Sequence, residues 1–150
     1  MLRLGGRMMV PKFRVWDETQ HKMLQVDCIE FIDGKAYWVE ASSTDGNVQG
    51  GNDGPVRDNS QLKLEQSTGL KDDNGNEIYE GDILATSSRI GRELITDYLK
   101  VDWREDYAGF FCGEKPLFVC LSEWDNDIKY PQTFPEIVGN VHTDGDLIDG

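Results

Sequence analysis

Apolar and polar residues alternate with a period of two along most of the chain. That is the pattern of half-buried strands, and helical spacing is almost absent. Phe13 and Val15 alternate with Arg14 and Trp16, and polar residues 17–22 make a turn. Leu24, Val26 and Cys28 then share one parity, followed by Ile29 and Phe31. Asp33-Gly34 sits between Phe31-Ile32 and Ala36-Tyr37-Trp38-Val39. The dipeptide suits the two positive φ angles of a type I′ turn, so a β-hairpin is expected here. Farther on, Leu99, Val101 and Trp103 alternate with Lys100 and Asp102. Phe110 to Cys112 and Leu117 to Leu121 flank Gly113-Glu114-Lys115-Pro116, which predicts a second hairpin. Ile137, Gly139 and Val141 mark a last strand, and residues 143–150 read as a frayed acidic tail.

Three segments interrupt this pattern. Residues 42–61 are rich in Ser, Asp, Asn and Gly, with only Val48 and Val56 as aliphatics. Such a stretch buries too little to offset its ordering entropy, so a long mobile loop is expected. Residues 87–95 and 122–127 are candidates for short helices, the second with Ser122 as N-cap. Asn74-Gly75 predicts another type I′ turn, and Gly81 lies where a bulge or close backbone approach would need it. The expected fold is mostly β: a small, barrel-like (SH3-like) antiparallel domain with an N-terminal hairpin region and at most two short helices. Residues 10–150 are expected to form this one domain, behind a disordered extension at 1–9.

Charge narrows the partners. The 150 residues carry 15 Lys and Arg against 28 Asp and Glu, a net charge of −13. The first 14 residues hold Arg3, Arg7, Lys12 and Arg14 and no acid, so the remainder is more acidic still. Such a body repels phosphate, which disfavours nucleic acid as a partner while leaving it open. It also disfavours an anionic membrane, and no run approaches the roughly 18 apolar residues of a membrane span. Three Cys, at 28, 112 and 120, cannot all pair within one chain, and no secretory signal precedes them. A reducing cytoplasm is the expected location.

The candidate chemistry is thin. Cys28, Cys112, Cys120, His21 and His142 show no zinc-ligand spacing, so no metal is expected. Cys112 and Cys120 are expected to serve as small buried hydrophobes. Asp72, Asn74 and Asn76 imitate the start of a calcium loop, but Glu77 and Ile83 stand where that loop needs Gly and Glu. Glu77, Glu80 and Asp82 cluster and could do acid–base work, though acids beside turns in so acidic a chain need no such role. Gly-rich residues 46–54 lack the Lys-Ser/Thr of a phosphate-binding loop, and no cofactor is expected. Lys12, Arg14 and Trp16 form the one basic–aromatic cluster, a candidate interaction site, although a core or subunit-interface role is the stronger expectation for the aromatics.

The run from Thr68 through Gly69, Leu70, Asp72, Asn74, Gly75, Ile78, Tyr79, Glu80, Gly81 and Asp82 to Ile83 resembles the signature of the YopX-like family of phage and prophage proteins. Lys12-Phe13-Arg14-Val15-Trp16-Asp17 resembles that family's opening, and Val101-x-Trp103 with Gly109-Phe110 resembles its middle. Ile137-Val138-Gly139-Asn140-Val141-His142 resembles its close. The resemblance implies a barrel-like β fold and a phage or prophage origin, with action inside a bacterial host. It carries over no catalytic residue. A physical reading of the motif needs none either: Asn74-Gly75 turns the chain, Gly69 and Gly81 permit tight backbone, and Leu70, Ile78 and Ile83 seed a core.

Three functions are therefore expected in descending order. The first is a non-enzymatic module that binds a protein partner and forms a homo-oligomer, since strand edges and aromatics are plentiful. The second is a nucleic-acid-associated protein or acidic DNA mimic. The third is a carboxylate-dependent enzyme.

Overall fold

The computed structural model describes residues 11–45, 49–122 and 132–148. The expected disorder at 1–9 and most of the expected helix at 122–127 lie outside them. Among the described residues the chain is mostly β, in two antiparallel sheets with almost no helix. These sheets are open, so the barrel-like expectation holds only loosely. The backbone divides into two compact units, residues 1–67 and 68–150.

In the first unit, β1 (Phe13–Asp17), β2 (Lys22–Ile32), β3 (Lys35–Ser43), β4 (Asn52–Pro55) and the first part of β5 (Leu62–Lys71) lie in the order β4-β3-β2-β1-β5. Val15 pairs with Leu24, and these two join Val39, Ala41 and Leu62 in a buried cluster. The Asp33-Gly34 turn has both φ angles positive, 52° and 79°, as a type I′ turn requires. Bulges follow Val26 and Glu30. Each shifts the parity by one, so Ile29 packs against the core opposite Val39 while Cys28 is exposed.

Within the polar segment 42–61, where a loop is expected, β3 runs to Ser43 and residues 52–55 form β4, which pairs with β3. The buried residue of β4 is Gly54, which packs on Leu62. A strand whose inward position is glycine has no hydrophobic alternation to display. Gly51 is needed for close approach, since a Cβ there would meet the Ala41 carbonyl at 2.5 Å. Asp17, fully buried, anchors the neighbouring turn. Its carboxylate accepts hydrogen bonds from Thr19 N, Gln20 N, Gln20 Nε2 and Asn52 Nδ2 at 2.8–3.2 Å.

In the second unit, the end of β5 pairs with β6 (Glu77–Tyr79). A five-stranded sheet follows in the order β10-β9-β8-β7-β11. Its strands are β7 (Asp82–Ile90), β8 (Glu93–Arg104), β9 (Gly109–Cys112), β10 (Lys115–Pro116) and β11 (Gln132–Asn140). Ile78, Leu84, Val101, Cys112 and Leu117 form the core.

Three local expectations are corrected here. Residues 87–95 are strand, not helix: β7 and β8 pair through Ile90 and Glu93 around Gly91, whose φ is 65°. Leu117–Ser122 is a helix, α1, rather than a strand, and Ser122 ends it instead of capping it. Leu117 is buried in the core, Cys120 and Leu121 pack against it, and Phe118 stays exposed. That i, i+3, i+4 spacing marks one helix face, and a five-residue apolar run is too short to separate it from a strand. Finally, the 72–76 turn is not type I′. Only Gly75 has a positive φ (84°), Gly75 N bonds Asp72 O at 3.0 Å, and Asp72 N bonds Asn76 O at 2.9 Å. This is a three-residue loop whose last residue is left-handed.

Candidate functional site

The long motif at 68–83 is a hydrogen-bond frame inside the second unit. Thr68 Oγ1 donates to Ile78 O at 2.8 Å and accepts from Leu70 N at 3.1 Å, which locks β5 to β6. Asp72 is only 6% exposed. One of its oxygens accepts from Asn74 N and Asn76 N at 3.0 and 2.8 Å, and the other accepts from Ile137 N at 2.9 Å. Asp73 N donates to Pro135 O and Asn74 Nδ2 to Glu136 Oε2, both at 3.1 Å. The turn is thereby stitched to β11.

The second half of the motif works alike. Asp82, also buried, accepts from Tyr79 N at 2.8 Å. Gly81 has φ 89°, which a side chain would strain. Its N–H donates to Val101 O at 2.7 Å and its carbonyl accepts from Val141 N at 2.8 Å. Leu70 packs against the core, while Ile78 and Ile83 are fully buried. Gly69 also has positive φ, 80°, and Tyr79 and Glu80 are half-buried. Asp72 and Asp82 thus spend carboxylate oxygens on backbone N–H groups, and the calcium-loop resemblance of Asp72, Asn74 and Asn76 is a turn of this kind. Among the described residues no three His, Cys, Asp or Glu converge as metal ligands would.

The closing motif is built on the same principle. Asn140 Oδ1 accepts from His142 N and Thr143 N at 2.9 and 3.2 Å. Asp144 accepts from Asn140 N at 3.1 Å and Thr143 Oγ1 at 2.6 Å, and these bonds hold its carboxyl below the usual range. A Cβ at Gly139 would overlap the Asp144 carboxylate.

The Lys12, Arg14 and Trp16 cluster does not form an open platform. Trp16 is 2% exposed, with its ring edge against His21 at 5.2 Å. Arg14 Nε bonds the Glu65 carboxylate opposite it at 2.8 Å. Lys12 is exposed. A base cannot stack on an aromatic ring buried in the sheet. Cys112 is a free, buried thiol, and a hydrogen bond with Cys120 together with burial pushes its thiol far up, so it stays protonated.

What the motifs did not reveal is the outer half of β8. Every residue from 93 to 98 is exposed, including Leu94 (59%), Ile95 and Tyr98. β9 pairs only with Val101 to Arg104, so among the described residues no strand lies on the outer side of 93–98. The sequence carried a weak signal here: adjacent Leu94 and Ile95 break the alternation. The first unit has a counterpart at the β2–β3 hairpin, where Phe31, Ile32 and Trp38 are exposed.

Among the described residues, no helix is long and apolar enough to cross a membrane. No curated protein matches the chain. The crystal structure of protein EF1440 from Enterococcus faecalis is similar, with a TM-score of 0.61 and 25% identity over 94% of this chain and 99% of that one. The YopX protein family matches residues 12–149. That span contains the opening, central and closing motifs whose hydrogen-bond frames are described above, and the chain belongs to the YopX family.

Proposed function

We propose that this YopX-family chain is a non-enzymatic protein-interaction module of a phage or prophage that self-associates inside its host cell. The observation that carries this reading is β8 residues 93–98: a strand with an open side that displays Leu94, Ile95 and Tyr98 to solvent. Unpaired backbone beside exposed apolar side chains is the ordinary template for strand addition by another chain. Two observations weigh against the other readings. Asp82 of the candidate carboxylate cluster is buried and bonded to Tyr79 N, and Trp16 is buried away from any nucleic acid.

The test is solution mass by light scattering over a range of concentrations. The wild type is expected to run larger than one chain, and Leu94→Lys with Tyr98→Lys to return it to a monomer. A wild type that stays monomeric at high concentration removes self-association. Capture from host lysate then decides the rest. One protein retained after nuclease treatment supports the module, whereas capture lost on nuclease treatment moves the function to nucleic acid.

A further inference from the structure

One cavity of the first unit lies away from every motif. It is an open groove of about 700 Å³ between the start of β3 and the turn after β4. Small-molecule sites are typically roughly 300–1,000 Å³. Ile32, Ala36 and Val56 give it an apolar wall. The turn that closes it is ordered by Val56 N to Tyr37 O at 3.1 Å and Ser60 N to Arg57 O at 3.0 Å.

Its charge runs against that of the chain. Lys35 and Arg57 both line the groove and both are exposed. Neither makes an ion pair among the described residues, although the chain has 28 acids for 15 bases. Arg57 is held in place instead by the Tyr37 ring, with its guanidinium carbon 5.0 Å from the ring centroid. A stacked guanidinium keeps its N–H edge free for an oxyanion, and a lysine lining the same groove adds a mobile point charge. Asp58 on the same wall sets a limit. It offsets one of the two positive charges, which favours a single anionic group over a polyanion.

We propose that this groove binds a small phosphate monoester with an apolar body, its phosphate on Arg57 and Lys35 and its body against Ile32, Ala36 and Val56. A dianionic phosphate matches two cations, and the apolar wall supplies what inorganic phosphate cannot use. This site is independent of the β8 edge and of self-association.

Phenyl phosphate is the probe, followed by amide shifts in a two-dimensional NMR titration of the full chain. Shifts are expected at Tyr37, Val56 and Arg57 to Ser60. Lys35→Gln with Arg57→Gln is expected to weaken binding by about tenfold or more, the order of one lost charge-assisted hydrogen bond. Both side chains are exposed, so an unchanged unfolding temperature verifies the fold of the variant. Inorganic phosphate is expected to bind more weakly, and benzyl alcohol not measurably. The proposal is overturned by no shifts at millimolar phenyl phosphate, by undiminished binding in the double variant, or by equal binding of benzyl alcohol or inorganic phosphate.

Discussion

Two stretches of the second unit lie close in sequence and differ in almost every respect. Residues 68–83 hold the family motif, and its buried acids are bonded to backbone: Asp72 holds three N–H groups, Asp82 accepts from Tyr79 N, and Gly81 bonds through both its N–H and its carbonyl. Residues 93–98 hold no motif, and all are exposed on a strand with an open side. A specific sequence pattern here marks the hardest folding requirement. The surface best suited to a partner is the one the pattern leaves unmarked. Buried carboxylates and left-handed glycines tolerate little change because their geometry is over-determined, whereas an exposed edge is constrained only by what binds it.

This contrast can be broken most sharply at Asp72. Asp72→Ala orphans three backbone N–H groups in one turn and is expected to cost about 3 kcal/mol, roughly 6–12 °C in Tm. Thermal unfolding checks it, and a cost near zero would mean that water replaces the carboxylate. Gly81→Ala comes next, at about 1–2 kcal/mol, because alanine is strained at φ 89°.

Acid should act through Asp17. Burial pushes its carboxyl up, but hydrogen bonds from Gln20, Asn52 and Thr19 outweigh this and hold it below its ordinary value. A depressed folded-state pKa contributes stability that is complete above the unfolded value, about 4. It is lost as pH falls through the lower folded value. Asp17→Asn should therefore flatten the acid limb of stability against pH, and an unaltered limb would remove Asp17 from it. The smallest effect on stability is expected for Leu94→Lys with Tyr98→Lys, within about 0.5 kcal/mol, even though the same pair is expected to change the solution mass. A large loss of stability there would show that the edge is packed rather than open.

Much of the frame was legible from local chemistry. The Asp33-Gly34 turn demands two positive φ angles and has them. Val15, Leu24 and Val101 stand at strand parity, Ile78 and Ile83 are motif residues expected in the core, and all five are buried. Cys112 is a core residue, as its spacing from Phe110 suggested. Some misses arose where the deciding neighbour was distant in sequence. The inward residue of β4 is a glycine placed by Leu62, so no apolar period announced it. The Leu117–Ser122 run became a helix because Leu117, Cys120 and Leu121 meet one core face. Trp16 is buried, the stronger of the two expectations for it, and Arg14 beside it is taken by Glu65 on β5.

The sequence by itself determined the class of this protein and its family: short alternating strands, glycine-borne turns, and a motif whose residues each answer a local backbone need. Only the tertiary structure decided which acids are used up as backbone acceptors, which aromatics are hidden and which strand is left with an open side. Local preference acts through torsions and near neighbours, which a linear pattern records. Burial and pairing depend on partners brought together from far along the chain, and those a linear pattern does not contain.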